Sequence, residues 1–462
     1  MSVELTAAEN SRNMDRFFNA RSVAVVGAST NPDKLGHVIL ANIMAGGYTG
    51  HVYPINPKEK EILGTPVLSS IDEIPEKLDL VVIVVPAVLV PGVLRQAAAK
   101  GAGAAVIISG GFREAGRIDL EKELLDISTE TGIRLVGPNC QGINYVPNKL
   151  CASWPLITTP GHMAIVSQSG TVAATLAGWA DEEAWGISST VSLGNQIDVN
   201  ETDLINTFAE DENIHSVALY LEGAKDGRKF LEASQKMIHK KPLIVLKSGR
   251  TAGGQKAAAS HTKSMAGRDD IFDAACRQYG IVRANDIESL YDMSKALAAL
   301  QIEKGNRLMI ITSSGGSGIL AVDNAEKHGI SVPPLPKDVA ELLRQADIPS
   351  NATLANPLDL TVATAQEYKN ALQTLIQADI ADLYLLIFGD PIPGAAETAA
   401  WLKQEIGPKV AVAYLGGGEV EKEERIRIHK AGIPVFPTPE RAIIALSSVV
   451  WAQGYKNARM AL

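Results

Sequence analysis

Cysteine is scarce in this chain. Cys140, Cys151 and Cys276 are the three among 462 residues, with no C-x-x-C pair and no metal-ligand spacing. That excludes a disulfide framework and a cysteine-held metal centre, so no metal site is expected, and it fits a reducing cytosol. Basic residues are not in excess: 43 Lys and Arg stand against 52 Asp and Glu, a net charge of −9. A general nucleic-acid binder and a basic membrane-surface protein are thereby excluded. An anionic ligand is not, since it needs only a few local donors. No run approaches the ~18 apolar residues of a membrane helix. The longest, Leu78 to Val90, contains Asp79 and Pro86 and reads as a buried strand. The opening MSVELTAAENSRNMDRFF has no apolar leader. A cytoplasmic protein is expected.

What is present is a repeated alternation. Short Val/Ile/Leu runs recur from Val23 almost to the end, separated by longer helical patterns. In the first third they are Val23–Val26, Val52–Ile55, Leu80–Val85, Ala105–Ile108 and Arg134–Val136. The middle third has Met163–Val166, Ser189–Leu193, Ser216–Leu221 and Leu243–Lys247. The last third has Leu308–Thr312, Leu383–Phe388 and Val410–Leu415. Continuous rather than alternating apolar runs are those of parallel strands covered on both faces, so the fold class is α/β with three consecutive parallel sheets. Breaks near Pro147–Pro160 and Gln301–Asn306 divide the chain into 10–150, 160–300 and 305–455.

Ligands in such folds bind where strands end and loops enter helices. The first such loop, Gly27 to Gly36, is not G-x-G-x-x-G. The second strand ends Ile55-Asn56-Pro57-Lys58, without the acidic residue that holds the ribose hydroxyls in a dinucleotide site. A cation there suits a phosphorylated ribose, as in NADP or coenzyme A, although Lys58 is followed by Glu59-Lys60-Glu61 and also reads as a solvated turn. Taken together, the loops GAS, NPK, VVPA, ISGGF and GPNCQG resemble the coenzyme A-binding domain of the succinyl-CoA synthetase α subunit and its ADP-forming acyl-CoA synthetase relatives. The resemblance implies a Rossmann-like first domain whose Gly27, Ser29, Asn31, Lys58, Pro86, Ser109 and Gly110 contact coenzyme A.

Seven of the eight histidines sit at helix ends or strand starts and need no function. His261 lies instead in a long small-residue stretch, Ser248 to Gly267, at the ligand end of a strand. Such loops are usually functional. A P-loop is ruled out, because Gln255 stands where Lys is required. Arg250-Thr251-Ala252, Ser260-His261-Thr262 and Ala266-Gly267 are similar to the segment that bears the phosphorylated histidine in the same family, with Lys263 departing from the usual Gly. A nucleophilic histidine needs an acceptor on its second ring nitrogen, and Glu222, at the end of Ser216–Leu221, matches the family's histidine-orienting glutamate. A surface carboxylate is the other reading of Glu222. Two Ser/Gly turns ahead of helices are good phosphate cradles and equally good plain caps: Ser167-Gln168-Ser169-Gly170-Thr171 before an expected helix Val172–Glu182, and Gly315-Gly316-Ser317-Gly318 before Ile319–His328. The family uses two such helices facing the histidine.

Succinyl-CoA synthetases carry a Tyr where Ala174 stands here, and Gly194-Asn195-Gln196-Ile197-Asp198 looks like the acyl-CoA synthetase branch. Acetate or another small monocarboxylate is therefore expected. The last third resembles the family's flavodoxin-like ligase domain, so two flavodoxin-like domains follow the first. No ATP-grasp region is recognisable. The resemblance thus implies that ADP or ATP and Mg²⁺ bind a separate ATP-grasp β subunit in an α₂β₂ heterotetramer, with acyl-CoA, phosphate and a carboxylic acid as the small partners. The implied reaction is acyl-CoA + ADP + phosphate ⇌ carboxylate + ATP + CoA, through an acyl phosphate and phosphohistidine at His261. A coenzyme A-binding regulator or scaffold and an NADP oxidoreductase are the rival readings.

Overall fold

The β-branched runs do become parallel strands. A computed structural model describes residues 13–256 and 268–460, and its contacts divide into two compact units: one formed by residues up to 181 with 186–275, the other by 182–185 with residues from 276 onward.

The first unit holds two sheets. In the first, β1 (Ser22–Val26), β2 (His51–Ile55), β5 (Leu80–Ile83), β6 (Ala104–Ile107) and β7 (Arg134–Val136) run in the order β2-β1-β5-β6-β7, every pairing parallel. A small hairpin, β3 (Glu61–Ile62) with β4 (Thr65–Pro66), stands outside it. Helices α1 (Leu35–Ala45), α2 (Val90–Ala99) and α3 (Ile118–Thr131) connect the strands. β1, β5 and β6 are buried at every position, each aliphatic side chain worth about 1.5–3 kcal/mol when withdrawn from water. The apolar run Leu78–Val90 is not one strand. It stops at Ile83, turns through a 3₁₀ segment Ala87–Leu89 and starts α2 at Val90, because Pro86 has no N–H for a ladder.

The second sheet of this unit orders its strands β13-β12-β10-β11-β8-β9: β8 (Gly142–Tyr145), β9 (Leu150–Ala152), β10 (Pro160–Ser167), β11 (Ile187–Ser192), β12 (Ser216–Leu221) and β13 (Leu243–Lys247). β10 to β13 are parallel. β8 pairs antiparallel with β11, and β9 with β8. β8 lies ahead of the expected break at Pro147–Pro160 and β9 inside it, so the chain enters the second sheet soon after β7. Helices α4 (Gly170–Glu182), α5 (Glu201–Glu210) and α6 (Gly227–Ile238) cover this sheet. The two sheets are stitched along 194–199. Asn195 N donates to Pro138 O (2.9 Å), Ile197 N to Gly137 O (3.3 Å) and Val199 N to Leu135 O (3.1 Å). The Asp198 carboxylate takes Arg134 Nε and Leu135 N at 2.9 and 2.8 Å.

The second unit carries a short strand β14 (Val282–Arg283) and a sheet of β15 (Leu308–Thr312), β16 (Leu358–Asp359), β17 (Leu383–Phe388), β18 (Val410–Tyr414) and β19 (Val435–Phe436), ordered β16-β15-β17-β18-β19 and parallel throughout. Its helices include α7 (Ile287–Ala299), α8 (Gly315–Lys327), α9 (Glu419–Lys430) and α10 (Pro439–Met460). Among the described residues no helix is long and apolar enough to cross a membrane, and no cluster of His, Cys, Asp and Glu is suited to a metal ion.

Candidate active site

The carboxyl ends of the strands in the first unit open on one cleft of about 880 Å³. Its floor is the start of α4. Ser167 and Ser169 form a hydroxyl-stabilised turn, Ser169 N donating to Ser167 Oγ (3.1 Å) and Ser167 Oγ to Ser169 O (2.6 Å). The helix begins at Gly170, two residues earlier than its apolar pattern suggests. Small residues suit a first turn, whose N–H groups have no helical acceptor and present a partial positive charge. Gln168, Ser169, Gly170 and Thr171 line the cleft, and so does Glu222 at the end of β12. Ser167 is fully buried behind them.

Gln168 ties the two strand ends together. Its Oε1 accepts from Glu222 N (2.6 Å) and Gly223 N (3.2 Å), and its Nε2 donates to Gly223 O (3.0 Å). Its side chain thus serves the turn that carries Glu222. Behind it, Glu201 opens α5 with 1% of its surface exposed. Burial raises the Glu201 carboxyl above the ordinary range, and Lys225 and Gln168 only partly offset this.

Of the residues assigned to coenzyme A, Gly110 lines the cleft. The others share the same edge of the first sheet. Gly27 follows β1 with φ +93°, and a Cβ there would stand 2.5 Å from the Val84 carbonyl oxygen, so only glycine lets the β1 and β5 strand ends approach this closely. Ser29 Oγ accepts from Asn31 N (3.1 Å). Asn56 clips the neighbouring loop to it through Ala28 O (2.7 Å) and orders Lys58 N (2.9 Å), leaving the Lys58 side chain exposed. Pro86 caps the 3₁₀ turn after β5. Ser109 Oγ donates to Ile83 O (3.3 Å).

Gly315, Gly316, Ser317 and Gly318 belong to the second unit. They are the first turn of α8, not a loop before it. Ser314 and Ser317 hydroxyls meet at 2.9 Å, and a Cβ on Gly315 would come within 2.7 Å of Asp359 Oδ2. His261 lies outside the described residues. The stretch leading to it is not wholly irregular, as residues 252–256 are helical.

Several cleft residues were not expected. Arg113, Lys225 and Trp154 all line it, beside Asn195 of the Gly194–Asp198 loop. Asn195 Nδ2 clamps Glu114 Oε2 (2.8 Å) and Glu121 Oε1 (2.7 Å) across the two sheets, and Glu114 Oε1 in turn accepts from Gly111 N at 2.6 Å. Lys225 donates to the Gln196 carbonyl. Burial and the neighbouring Arg113 lower the Lys225 pKa. Cys140 also lines the cleft, but burial pushes its pKa up to about 12, so it stays a thiol. Positive φ at Gly194 and Gln196 is the trace these residues leave in sequence: a Gly-Asn-Gln turn held in a left-handed shape.

Comparison with known proteins supplies the frame. Residues 21–146 match the CoA binding domain family and residues 160–297 the succinyl-CoA ligase like flavodoxin domain family. The chain is 39% identical over 451 residues to the α subunit of the ADP-forming acetate–CoA ligase I of Pyrococcus furiosus, covering 94% of this chain and 97% of that one. It is 36% identical over 440 residues to the ADP-forming acetate–CoA ligase I of Archaeoglobus fulgidus, where the match takes in 94% of this chain and 63% of the relative. Among solved structures, the acetyl-coenzyme A synthetase 1 of Ca. Korarchaeum cryptofilum, determined with phosphate and ADP, superposes with a TM-score of 0.89 at 36% identity, covering 97% of this chain and 99% of that one.

Proposed function

The chain belongs to the family of ADP-forming acetate–CoA ligase α subunits, and from that premise we propose that it interconverts acetyl-CoA, or a similarly small acyl-CoA, ADP and phosphate with the carboxylate, ATP and CoA through a phosphohistidine at His261. The observation that carries this reading is the cleft itself, which sets Glu222 beside the amide-rich start of α4.

The chemistry divides into displacements. Phosphate attacks the thioester carbonyl, the C–S bond breaks, and the CoA thiolate leaves with an acyl phosphate formed. His261 then attacks phosphorus, the carboxylate leaves, and the phosphoryl group sits on the ring nitrogen. Glu222 accepts from the other ring nitrogen and holds the tautomer. The N–H groups of Gly170 and Thr171 stabilise the phosphoryl oxygens, as preorganised donors do, and the start of α8 is the second cradle. The loops at Gly27, Ser29, Asn31, Lys58, Pro86, Ser109 and Gly110 hold coenzyme A. Transfer from His261 to ADP occurs with Mg²⁺ on an ATP-grasp β subunit, in an α₂β₂ assembly in the cytoplasm. The rival coenzyme A-sensing role finds no support in the relatives, which are ligases over nearly the whole matched length.

The test is phosphoryl labelling. The chain, alone and with its β subunit, is incubated with acetyl-CoA and ³²P-phosphate. Acid-labile, base-stable label is expected on the native chain and absent from His261→Ala. Glu222→Gln is expected to slow labelling by about a hundredfold or more. Label that persists in His261→Ala would refute the assignment.

A further inference from the structure

β10 and β12 run side by side until Ser167 stands opposite Tyr220. The last backbone rung beyond that pair is Gln168 N donating to Tyr220 O (3.2 Å). There the two chains part. β10 stops at Ser167 and turns into α4 at Gly170, while β12 runs to Leu221 and on into Glu222-Gly223. With no further β10 backbone alongside, the N–H groups of Glu222 and Gly223 lose their ladder partner. Glu222 is only 8% exposed, so those groups need acceptors from the protein.

The Gln168 side chain stands in for the missing peptide group. Its Oε1 accepts from both N–H groups, at 2.6 and 3.2 Å, and its Nε2 returns a hydrogen bond to Gly223 O at 3.0 Å. Among side chains, the amides of Asn and Gln pair an acceptor with a donor as a peptide group does. Two N–H groups converging on Oε1 also dictate which way the amide points, because a flipped amide would set its NH₂ against them. Its other end is anchored as well: the carboxyl of Glu201, 1% exposed at the start of α5, hydrogen-bonds the Gln168 side chain. With the backbone N–H spent on Tyr220 and the amide spent on Gly223 and Glu201, Gln168 keeps no donor for a phosphoryl oxygen. That sets it apart from Gly170 and Thr171, with which it shares the turn.

Building on the function proposed above, we infer that Gln168 is a positioning residue and not a phosphate ligand: its side-chain amide holds the Glu222–Gly223 backbone so that the Glu222 carboxylate stays aimed at the ring of His261. A displacement of about 1 Å at such a site costs about a hundredfold in rate, and a side chain that ties two strand ends together prevents it. Removing the tie acts on phosphoryl transfer rather than on phosphate affinity, so kcat falls while KM for phosphate stays.

The experiment is a double-mutant cycle on the complete assembly of this chain and its nucleotide-binding subunit, with ³²P-phosphate and acetyl-CoA as probes. Labelling rate, kcat and KM for phosphate are measured for native protein, Gln168→Met, Glu222→Gln and the double variant. Gln168→Met should lower labelling rate and kcat by between about tenfold and a hundredfold, with KM for phosphate within about twofold of native. In the double variant the loss should match that of Glu222→Gln alone, because a positioning residue has nothing left to position. If Gln168→Met gives no cooperative melt, Gln168→Glu, which keeps the acceptor and loses only the donor, goes through the same cycle. A KM for phosphate raised tenfold with kcat kept would make Gln168 a phosphate ligand and overturn the inference. So would losses that multiply in the double variant. In both cases native protein still takes label and the proposed function stands. Native protein that takes no label sinks the proposed function itself, and this inference with it.

Discussion

Two glutamates withdrawn from water, Glu201 in the first unit and Glu183 in the second, have their pKa values moved in opposite directions. Burial dominates at Glu201 and raises its pKa. At Glu183 burial also pushes upward, but Lys295 and His429, with the Tyr291 hydroxyl, outweigh it and bring the carboxyl below the ordinary range. The geometry explains the difference. Lys295, with a side chain 0% exposed, reaches Glu183 Oε2 at 2.8 Å and Val435 O at 2.7 Å, while Tyr291 OH donates to the same carboxylate at 2.9 Å. The ammonium also lies 4.8 and 4.9 Å from the Tyr291 and Phe436 ring centres, a favourable place for a cation. Around Glu201 no such cation is bonded; its Oε2 has no partner among the described residues. Burial alone does not decide the charge of a carboxylate. Whether an ion pair is assembled around it does.

The sharpest way to break the contrast is Lys295→Met, which strands the Glu183 charge. A loss of about 3–5 kcal/mol is expected, read by denaturant unfolding. Lys295→Met combined with Glu183→Gln should recover much of it. A loss below 1 kcal/mol would show the pair to be dispensable. The next effect is acid sensitivity. His429 donates from Nδ1 to Glu183 O (2.8 Å) and accepts from Val435 N at Nε2 (3.0 Å), and burial, then Lys295, lowers its pKa to about 3. Its folded form is neutral, so its contribution is complete above the unfolded value near 6.5. It is lost as pH falls toward about 3, by about 1.4 kcal/mol per unit. The Glu183 contribution is complete above the ordinary carboxyl range and is lost as pH drops through its lowered pKa. Melts of native protein and His429→Gln from pH 7 to 4 should converge, the variant losing less per unit. The smallest effect has the opposite sign. A raised carboxyl contributes most at low pH and loses that contribution as pH rises through its folded pKa. Glu201→Gln, always neutral, should therefore be more stable than native protein by about 1 kcal/mol at neutral pH, with no gain in acid. A destabilised variant at pH 7 would show that Glu201 is ionised and paired.

Much of this fold was readable because its strands are buried on both faces and written as unbroken aliphatic runs, as in Leu80–Ile83 and Leu383–Phe388. What escaped was short or mixed: β8 and β9 fall in a stretch of Gly, Asn and Pro with no apolar run, and β16 and β19 are two residues long. Their pairing comes from neighbours rather than from propensity. In the site, Ser169-Gly170-Thr171 and Glu222 were legible because a turn at a strand end announces itself locally. Arg113, Trp154 and Lys225 were not, because their meaning depends on which loops meet.

The stitching along 194–199 has a consequence for how the chain can be divided. The first sheet carries its own core, yet Arg134 is neutralised by Asp198, 64 residues downstream, and the carbonyls of Leu135, Gly137 and Pro138 are satisfied from the same distant segment. A fragment ending near residue 150 would expose a guanidinium without its counter-charge and a row of unmet acceptors. The two sheets should then exchange their amide hydrogens as one block, and a cut between them would yield two insoluble halves rather than two modules.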